Sequence, residues 1–333
     1  MPDSAGPVRI GVLGASKWAP TTLINPAQEN TEVVVSAVAS RDVIRAHAFA
    51  GRHHIPRVHD NYEALIADPE LDAVYNLLPT NVHGKWTRAT LAAGKHVLCE
   101  KPFTANAAEA REIAALAAKS DRVVMEALQY RYHPLTLRVE QVIASGELGK
   151  LERVEVSVCV LLPKRSNGNV YDYSLAGGAL MDAGVYTVDM LRTFGGSTPE
   201  VVSAQAKLDG PAVDRVMTAE LRFANGHTGR LHCALWSSNL FWASAKVVGD
   251  RGQLRYLSPA APHLLPRLSI RSADGKRVER FPRRATYAYQ LEAFAAAVLR
   301  GEPVMTTAAG AIENMAVIDA IYRAAGLPVR EPT

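Results

Sequence analysis

From Val8 to about Glu126 the chain alternates short β-branched runs with alanine-rich helical stretches, and few folds accept that rhythm. "VRIGVLG", "VVVSAVAS", "LDAVYNLL", "GKHVLCE" and "RVVMEA" read as buried strands, separated by helical segments such as "NYEALIAD" and "VHGKWTRATLAAG". Strand and helix repeated in this order predict an α/β fold, a parallel sheet covered on both faces. In such a sheet, ligands bind in the crevice at the carboxyl ends of the strands.

The rhythm breaks after "YRYHPLTLRVEQVIASGELGKL". Beyond Leu151, strand-like runs follow one another directly, with Asn225-Gly226 and Asp274-Gly275 as hairpin signals. One helical insertion, "GGALMDAGVYTVDMLRTFGG", interrupts them, and two helices close the chain. With 333 residues, two domains are expected. We place a Rossmann-type doubly wound domain at 1–127 and an α+β domain with a mostly antiparallel open sheet at 128–333. The latter is expected to bind substrate and to mediate oligomerisation as a homodimer or homotetramer.

Composition narrows the function classes. A net charge of +4 with scattered basic residues points away from nucleic acid. No apolar run approaches the length of a membrane span, and "MPDSAGPVRIGVLG" lacks the basic-then-apolar order of a signal peptide, so a cytoplasmic enzyme is expected. The three cysteines are far apart and read as small buried side chains. His53, His54 and His59 lack a carboxylate at ligand spacing, so no metal is expected.

The first strand ends in "GVLGASKWA", Gly11 to Ala19, where a dinucleotide fingerprint would sit. Gly14 matches its first glycine, but Ser16 and Ala19 stand at the second and third positions. Gly14 allows the tight turn, Ser16 offers a backbone N–H and a hydroxyl, and Ala19 is small enough for close helix packing. Gly11, Gly14, Ala15, Ser16, Lys17 and Trp18 are therefore candidate cofactor residues. The second strand ends in Ser40 and Arg41, where an NAD enzyme would place a carboxylate for the ribose. Arg41 suits a 2′-phosphate, which favours NADP; Asp42, next in line, keeps NAD possible.

In "KHVLCEKPF" a strand runs into Glu100, Lys101 and Pro102. Proline stops the strand, leaving Lys101 at its tip in the crevice, where an ammonium would stabilise an alkoxide and could lower the pKa of a neighbouring acid. A surface ion pair is the alternative. In the inserted helix, Asp182, Tyr186 and Asp189 fall at i, i+4 and i+7, on one face; a buried tyrosine meeting Asp182 in an amphipathic helix is the alternative there. Pro79, Thr80 and His83 follow another strand tip and could sit along the cofactor. Tyr130, Arg131 and His133, preceded by Gln129, leave the last strand of the first domain toward the crevice and could line nicotinamide or substrate, Gln129 and Arg131 on the cofactor side and Tyr130 on the substrate side; a segment that only packs the domains together is the alternative.

"CEKP", the glycine turn, "EALQYRYHP" and "GGALMDAGVYTVD" together resemble the Gfo/Idh/MocA family of NAD(P)-dependent oxidoreductases across nearly the whole chain. The resemblance implies that Lys101, Asp182 and Tyr186 form the substrate-side catalytic set; beside them, Tyr130 is a candidate on the substrate side and Glu100 and Lys101 are candidates near the cofactor. Tyr186 stands where inositol-dehydrogenase-like members carry histidine. That departure is similar to the branch of glucose-fructose oxidoreductase and dimeric dihydrodiol dehydrogenase. The expectation is NADP-dependent hydride transfer at an alcohol or carbonyl carbon of a sugar or cyclic diol. Imine reduction on the same scaffold and a non-catalytic cofactor-binding regulator stand as alternatives. The loop at 161–175 and the aromatic residues Trp236, Phe241 and Trp242 are candidates for shaping the substrate pocket.

Overall fold

The structure, a computed structural model, describes residues 6–166, 168–236 and 243–333, apart from the side chain of Ser166. Its first sheet contains β1 (Val8–Leu13), β2 (Val33–Ala39), β3 (Arg57–His59), β4 (Ala73–Asn76), β5 (His96–Cys99) and β6 (Val124–Glu126). They lie in the order β3-β2-β1-β4-β5-β6 and every neighbouring pair is parallel. The β4 side chains are buried throughout, as a strand covered on both faces requires. Strand order reverses between β1 and β4, so the crevice opens above their carboxyl ends.

Helices α1 (Asn25–Gln28), α2 (Val43–His53), α3 (Tyr62–Ala67), α4 (His83–Ala92) and α5 (Ala107–Ala117) connect these strands. Asp42, Asn61 and Asn106 cap α2, α3 and α5 by accepting backbone N–H bonds in the first turn. After α6 (Pro134–Ala144), β7 (Leu151–Cys159) begins the second sheet, and a wide π-helical turn at Leu180–Gly184 leads into α7 (Val185–Gly195).

The second sheet continues with β8 (Glu200–Leu208), β9 (Asp214–Arg222), β10 (Thr228–Ala234), β11 (Ala243–Gly249), β12 (Gln253–Leu257), β13 (Arg267–Ser272) and β14 (Gly275–Arg280). Its order is β14-β13-β12-β11-β7-β10-β9-β8; only β7 and β10 run parallel. Gly226 and Gly275 adopt positive φ between their strands, as the Asn-Gly and Asp-Gly signals predict. Residues of α7 and of α9 (Ala308–Ala324) pack on one face of this sheet; the other carries polar residues such as the paired Glu220 and Arg230.

The expected cysteine burial holds for Cys99, Cys159 and Cys233. One helix behaves differently from a simple split near residue 127. Leu291, Phe294 and Ala295 of α8 (Thr286–Arg300) pack with Val8, Ile10 and Val12, so the chain returns from the second sheet to complete the core of the first. No helix among the described residues is long and apolar enough to cross a membrane.

Candidate active site

At the tip of β1, Gly14 adopts φ +99° and its N–H donates to the Ala39 carbonyl at 2.8 Å. A Cβ there would lie 3.2 Å from the Leu77 carbonyl oxygen, so the turn needs glycine both for its backbone angle and for its close approach. Ala15 and Ala19 are buried, Ser16 Oγ accepts from the Trp18 N–H at 3.2 Å, and Lys17 and Trp18 face outward. Gly11 is a correction to the expected cofactor set. A Cβ on it would sit 2.6 Å from Leu71 Cδ1 and 2.7 Å from Leu65 Cδ2, so this glycine serves the packing of β1 beneath α3.

At the tip of β2, Ser40 is buried and Arg41 exposed. Asp42 is occupied as the cap of α2, accepting from the Arg45 N–H at 3.0 Å. Arg45, which the sequence reading missed, reaches back to donate to the Ala15 carbonyl at 2.8 Å and so ties α2 to the β1 turn. Its signal was its place in the opening turn of α2, four residues after Arg41. A glycine-lined turn flanked by Ser40, Arg41 and Arg45 fits a dinucleotide carrying a 2′-phosphate.

The chemistry gathers at the tip of β5. Lys101 Nζ donates to both the backbone carbonyl of Asp182, at 2.7 Å, and its carboxylate Oδ1, at 2.9 Å. Asp182 can offer both groups because it sits in the wide turn before α7, where helical bonding is loosened. Lys101 Nζ also lies 5.1 Å from the centre of the Tyr186 ring, and the Tyr186 hydroxyl donates to Gln129 Oε1 at 3.2 Å. Gln129 Nε2 is held in turn by the Ala260 carbonyl at 3.1 Å. Gln129 therefore aims the phenol.

Burial sets the proton affinities. It works against the Lys101 ammonium, but Asp182 and Glu100 outweigh it and hold the lysine pKa above its usual value. Burial also pushes Tyr186 well above the ordinary phenol range, and Glu100 adds to the shift. This corrects the expectation that the lysine would lower the pKa of a neighbouring acid: the ammonium lies over the ring face, while Gln129 takes the hydroxyl. Glu100 is raised by burial against the pull of Tyr75 and Lys101; it accepts the Tyr75 hydroxyl and the Lys101 N–H. Tyr287, at the start of α8, is a second missed residue. Burial raises its phenol, and the charges of Glu100, Lys101 and Asp182 act on it, which places it beside the cluster. Nothing local in the sequence marks it, since α8 lies more than 180 residues beyond Lys101.

Other expected residues are placed elsewhere. Tyr130 is fully buried behind Tyr186 with its hydroxyl donated to Asp189, so it supports α7 and has no substrate-facing group. Arg131 turns away from the crevice to Asp189 at 3.4 Å and Thr193 at 2.8 Å. His83 is buried with Nδ1 2.8 Å from the Pro102 carbonyl and Nε2 2.7 Å from that of Leu78. Burial keeps the ring neutral, so it donates to one of these two carbonyls, and each nitrogen faces a crevice loop and not an open site for a cofactor. Pro79 and Thr80 remain half-buried at the tip of β4, opening a short turn toward the crevice. Trp236 is exposed, while Phe241 and Trp242 lie outside the described residues.

A Rossmann sheet with a phosphate turn at β1 and a lysine, a carboxylate and a phenol joined at β5 defines a dinucleotide-dependent oxidoreductase. The chain belongs to the GFO/IDH/MocA family: residues 8–128 match the oxidoreductase-family NAD-binding Rossmann fold, and residues 136–255 match the GFO/IDH/MocA C-terminal domain. It is similar to the D-xylose 1-dehydrogenase (NADP(+)) 2 of Haloferax volcanii, 35% identical over 316 residues, covering 95% of this chain and 96% of that one. It is also similar to the human trans-1,2-dihydrobenzene-1,2-diol dehydrogenase, 34% identical over 259 residues, 76% of this chain and 74% of that one. Among solved structures, the 3-ketoreductase KijD10 of Actinomadura kijaniata, in complex with NADP and TDP-benzene, superposes with a TM-score of 0.86 at 26% identity, covering 96% of this chain and 98% of that one.

Proposed function

We propose that this oxidoreductase uses NADP(H) to interconvert an alcohol and a carbonyl on a sugar or a cyclic vicinal diol, with Lys101, Tyr186 and Asp182 as its catalytic set. The observation that carries the reading is Lys101 Nζ held on Asp182 beneath the Tyr186 ring at the carboxyl tip of β5. The relatives named above, which act on D-xylose and on a cyclic diol, support the substrate class.

The turn at Gly14 with Ser40 and Arg41 would hold the cofactor, which when bound would supply or accept the hydride. In the reducing direction Tyr186 is a neutral phenol at any physiological pH, because burial and Glu100 hold its proton. It therefore serves as the proton donor to the carbonyl oxygen. Lys101 stays an ammonium and stabilises the oxyanion as charge develops there; a preorganised donor of this kind contributes roughly 10²–10³ in rate. Asp182 fixes the lysine and offers its second carboxylate oxygen to a neighbouring substrate hydroxyl. Arg41 and Ser40 bind the 2′-phosphate, and Arg45 steadies the turn beside it.

The test is oxidation of D-xylose and of trans-1,2-cyclohexanediol by the purified protein with NADP and with NAD, and reduction of a cyclic imine with NADPH, each beside Lys101→Ala. NADP-dependent turnover of either substrate, lost in the variant, supports the reading. Turnover of a cyclic imine alone would replace it with C=N reduction, and cofactor binding without turnover of any of them would replace it with the regulator.

A further inference from the structure

Two adjacent glycines lead into the catalytic turn, and a polar hub explains them. A Cβ on Gly178 would lie 2.1 Å from Asp214 Oδ1 and 2.8 Å from both Arg330 Nη2 and the Tyr322 hydroxyl. On Gly177 it would lie 2.7 Å from the Asp172 carbonyl oxygen. Arg330 is fully buried, an unusual place for a guanidinium, and each of its three nitrogens has a partner. Nε donates to the Gly177 carbonyl at 2.8 Å, Nη1 to Pro328 at 3.1 Å and Nη2 to Asp214 at 2.9 Å. The faces of Tyr322 and Tyr173 lie 4.1 and 4.8 Å from its central carbon. Asp214 passes the restraint on, accepting the Leu180 N–H at 2.7 Å, two residues before Asp182.

The same tail holds the other half of the site through its backbone. The Arg330 carbonyl accepts from Asn106 Nδ2 at 2.8 Å, and Asn106 caps α5 immediately after the loop that carries Lys101. Farther along, Thr333 N–H donates to the Asn81 carbonyl at 2.9 Å, and Asn81 Nδ2 donates to Thr333 Oγ1 at 2.7 Å, fixing the turn at Thr80–Val82 above β4. Lys101 follows β5 of the first sheet and Asp182 lies in the helical turn before α7, which packs on the second, 81 residues away. Their contact depends on how the second sheet is seated on the first.

We propose that residues 327–333 form a strap in which Arg330 is a positioning residue: its side chain sets the backbone that carries Asp182, its main chain sets the loop that carries Lys101, and together they fix the spacing of the catalytic pair. The inference rests on the assignment of Lys101 and Asp182 above. The buried ion pair with Asp214 serves registry here, a role such pairs fill elsewhere. Around Lys101 the groups that feel its charge are Asp182, Glu100, Tyr287 and the buried His83, with the Tyr186 ring 5.1 Å away, so loosening Asp182 leaves the ammonium with less support.

The experiment measures how fast Lys101 is acylated by acetic anhydride as pH rises, read by mass spectrometry, in the full-length wild type, Arg330→Met, Arg330→Lys and Asn106→Ala. This readout needs no substrate. The titration midpoint of Lys101 should fall by about one pH unit in Arg330→Met, recover in part in Arg330→Lys, and fall less in Asn106→Ala, which leaves the buried ion pair intact and so remains informative if Arg330→Met does not fold. In parallel, kcat should drop about tenfold in Arg330→Met while the NADPH dissociation constant stays within about twofold. A Lys101 midpoint that stays at the wild-type value in Arg330→Met or, if that variant does not fold, in Asn106→Ala overturns the strap. Lys101→Ala, assayed beside them, separates the two claims: if it keeps its turnover the catalytic assignment fails, and if it is inactive while Arg330→Met turns over normally, the strap alone fails.

Discussion

The two ends of the crevice are built on opposite principles. At the cofactor end, Arg41, Lys17 and Trp18 are exposed and the geometry is local: one glycine turn, one strand tip and the opening of α2 lie within 45 residues of the amino terminus. At the substrate end, Lys101, Tyr186, Gln129 and Tyr287 are drawn from four distant segments and largely withdrawn from water. The exposed end can bind by charge in a screened environment, where each contact has a modest effect. The enclosed end places a few charges where water cannot screen them, so each has a large one. Substitutions at the two ends should therefore differ in size and in the step they affect.

Tyr186→Phe should have the largest effect. Loss of the proton donor is expected to lower kcat by about 10²–10⁴, leaving the NADPH dissociation constant unchanged; a fall of less than fivefold would move the donor role to Tyr287 or to water. Arg41→Ala acts at the other end. Losing a charge-assisted pair to phosphate should weaken NADPH binding by about 10- to 100-fold, with NADH binding unaffected. Equal losses for both cofactors would mean that Arg41 does not contact the 2′-phosphate.

A smaller effect concerns stability. Burial, with Asp189 nearby, pushes the Glu126 carboxyl up to about 8. Between the ordinary carboxylate range and about pH 8 the folded protein holds a proton that the unfolded chain has released, so this group makes stability fall as pH rises. Glu126→Gln keeps an acceptor for the Phe103 N–H, 2.9 Å away in the wild type, and removes the titration. Its melting temperature relative to wild type should rise from pH 5 to pH 8 by a few degrees. An identical difference at both pH values would show that Glu126 titrates normally.

The same contrast explains what was legible in the sequence. Gly14, Ser40 and Arg41 lie at adjoining strand tips as expected, because a strand-to-helix turn and a strand tip are local patterns with a fixed physical meaning. Lys101 followed from a proline that ends a strand, and Asp182 and Tyr186 from helical spacing; the strand-helix alternation foretold the first sheet and the consecutive strand-like runs with their hairpin turns the second. Tyr130 and Arg131 misled because a segment leaving a strand gives no sign of which way its side chains turn; here Asp189 captures both. Gly11 misled in a related way, since glycine for close packing and glycine for a ligand look alike in sequence. Tyr287 and Arg330 were invisible because they join the site only when α8 and the carboxyl-terminal strap return across the first sheet.

The central claim is that Lys101 acts on the reaction and not on cofactor binding. It is tested most directly by titrating Lys101→Ala with NADPH, following nicotinamide fluorescence, and then measuring its turnover of D-xylose with NADP. The account predicts a dissociation constant within about threefold of wild type and a kcat lowered by about 10²–10³. Turnover near the wild-type rate, or a loss confined to NADPH binding, would contradict it.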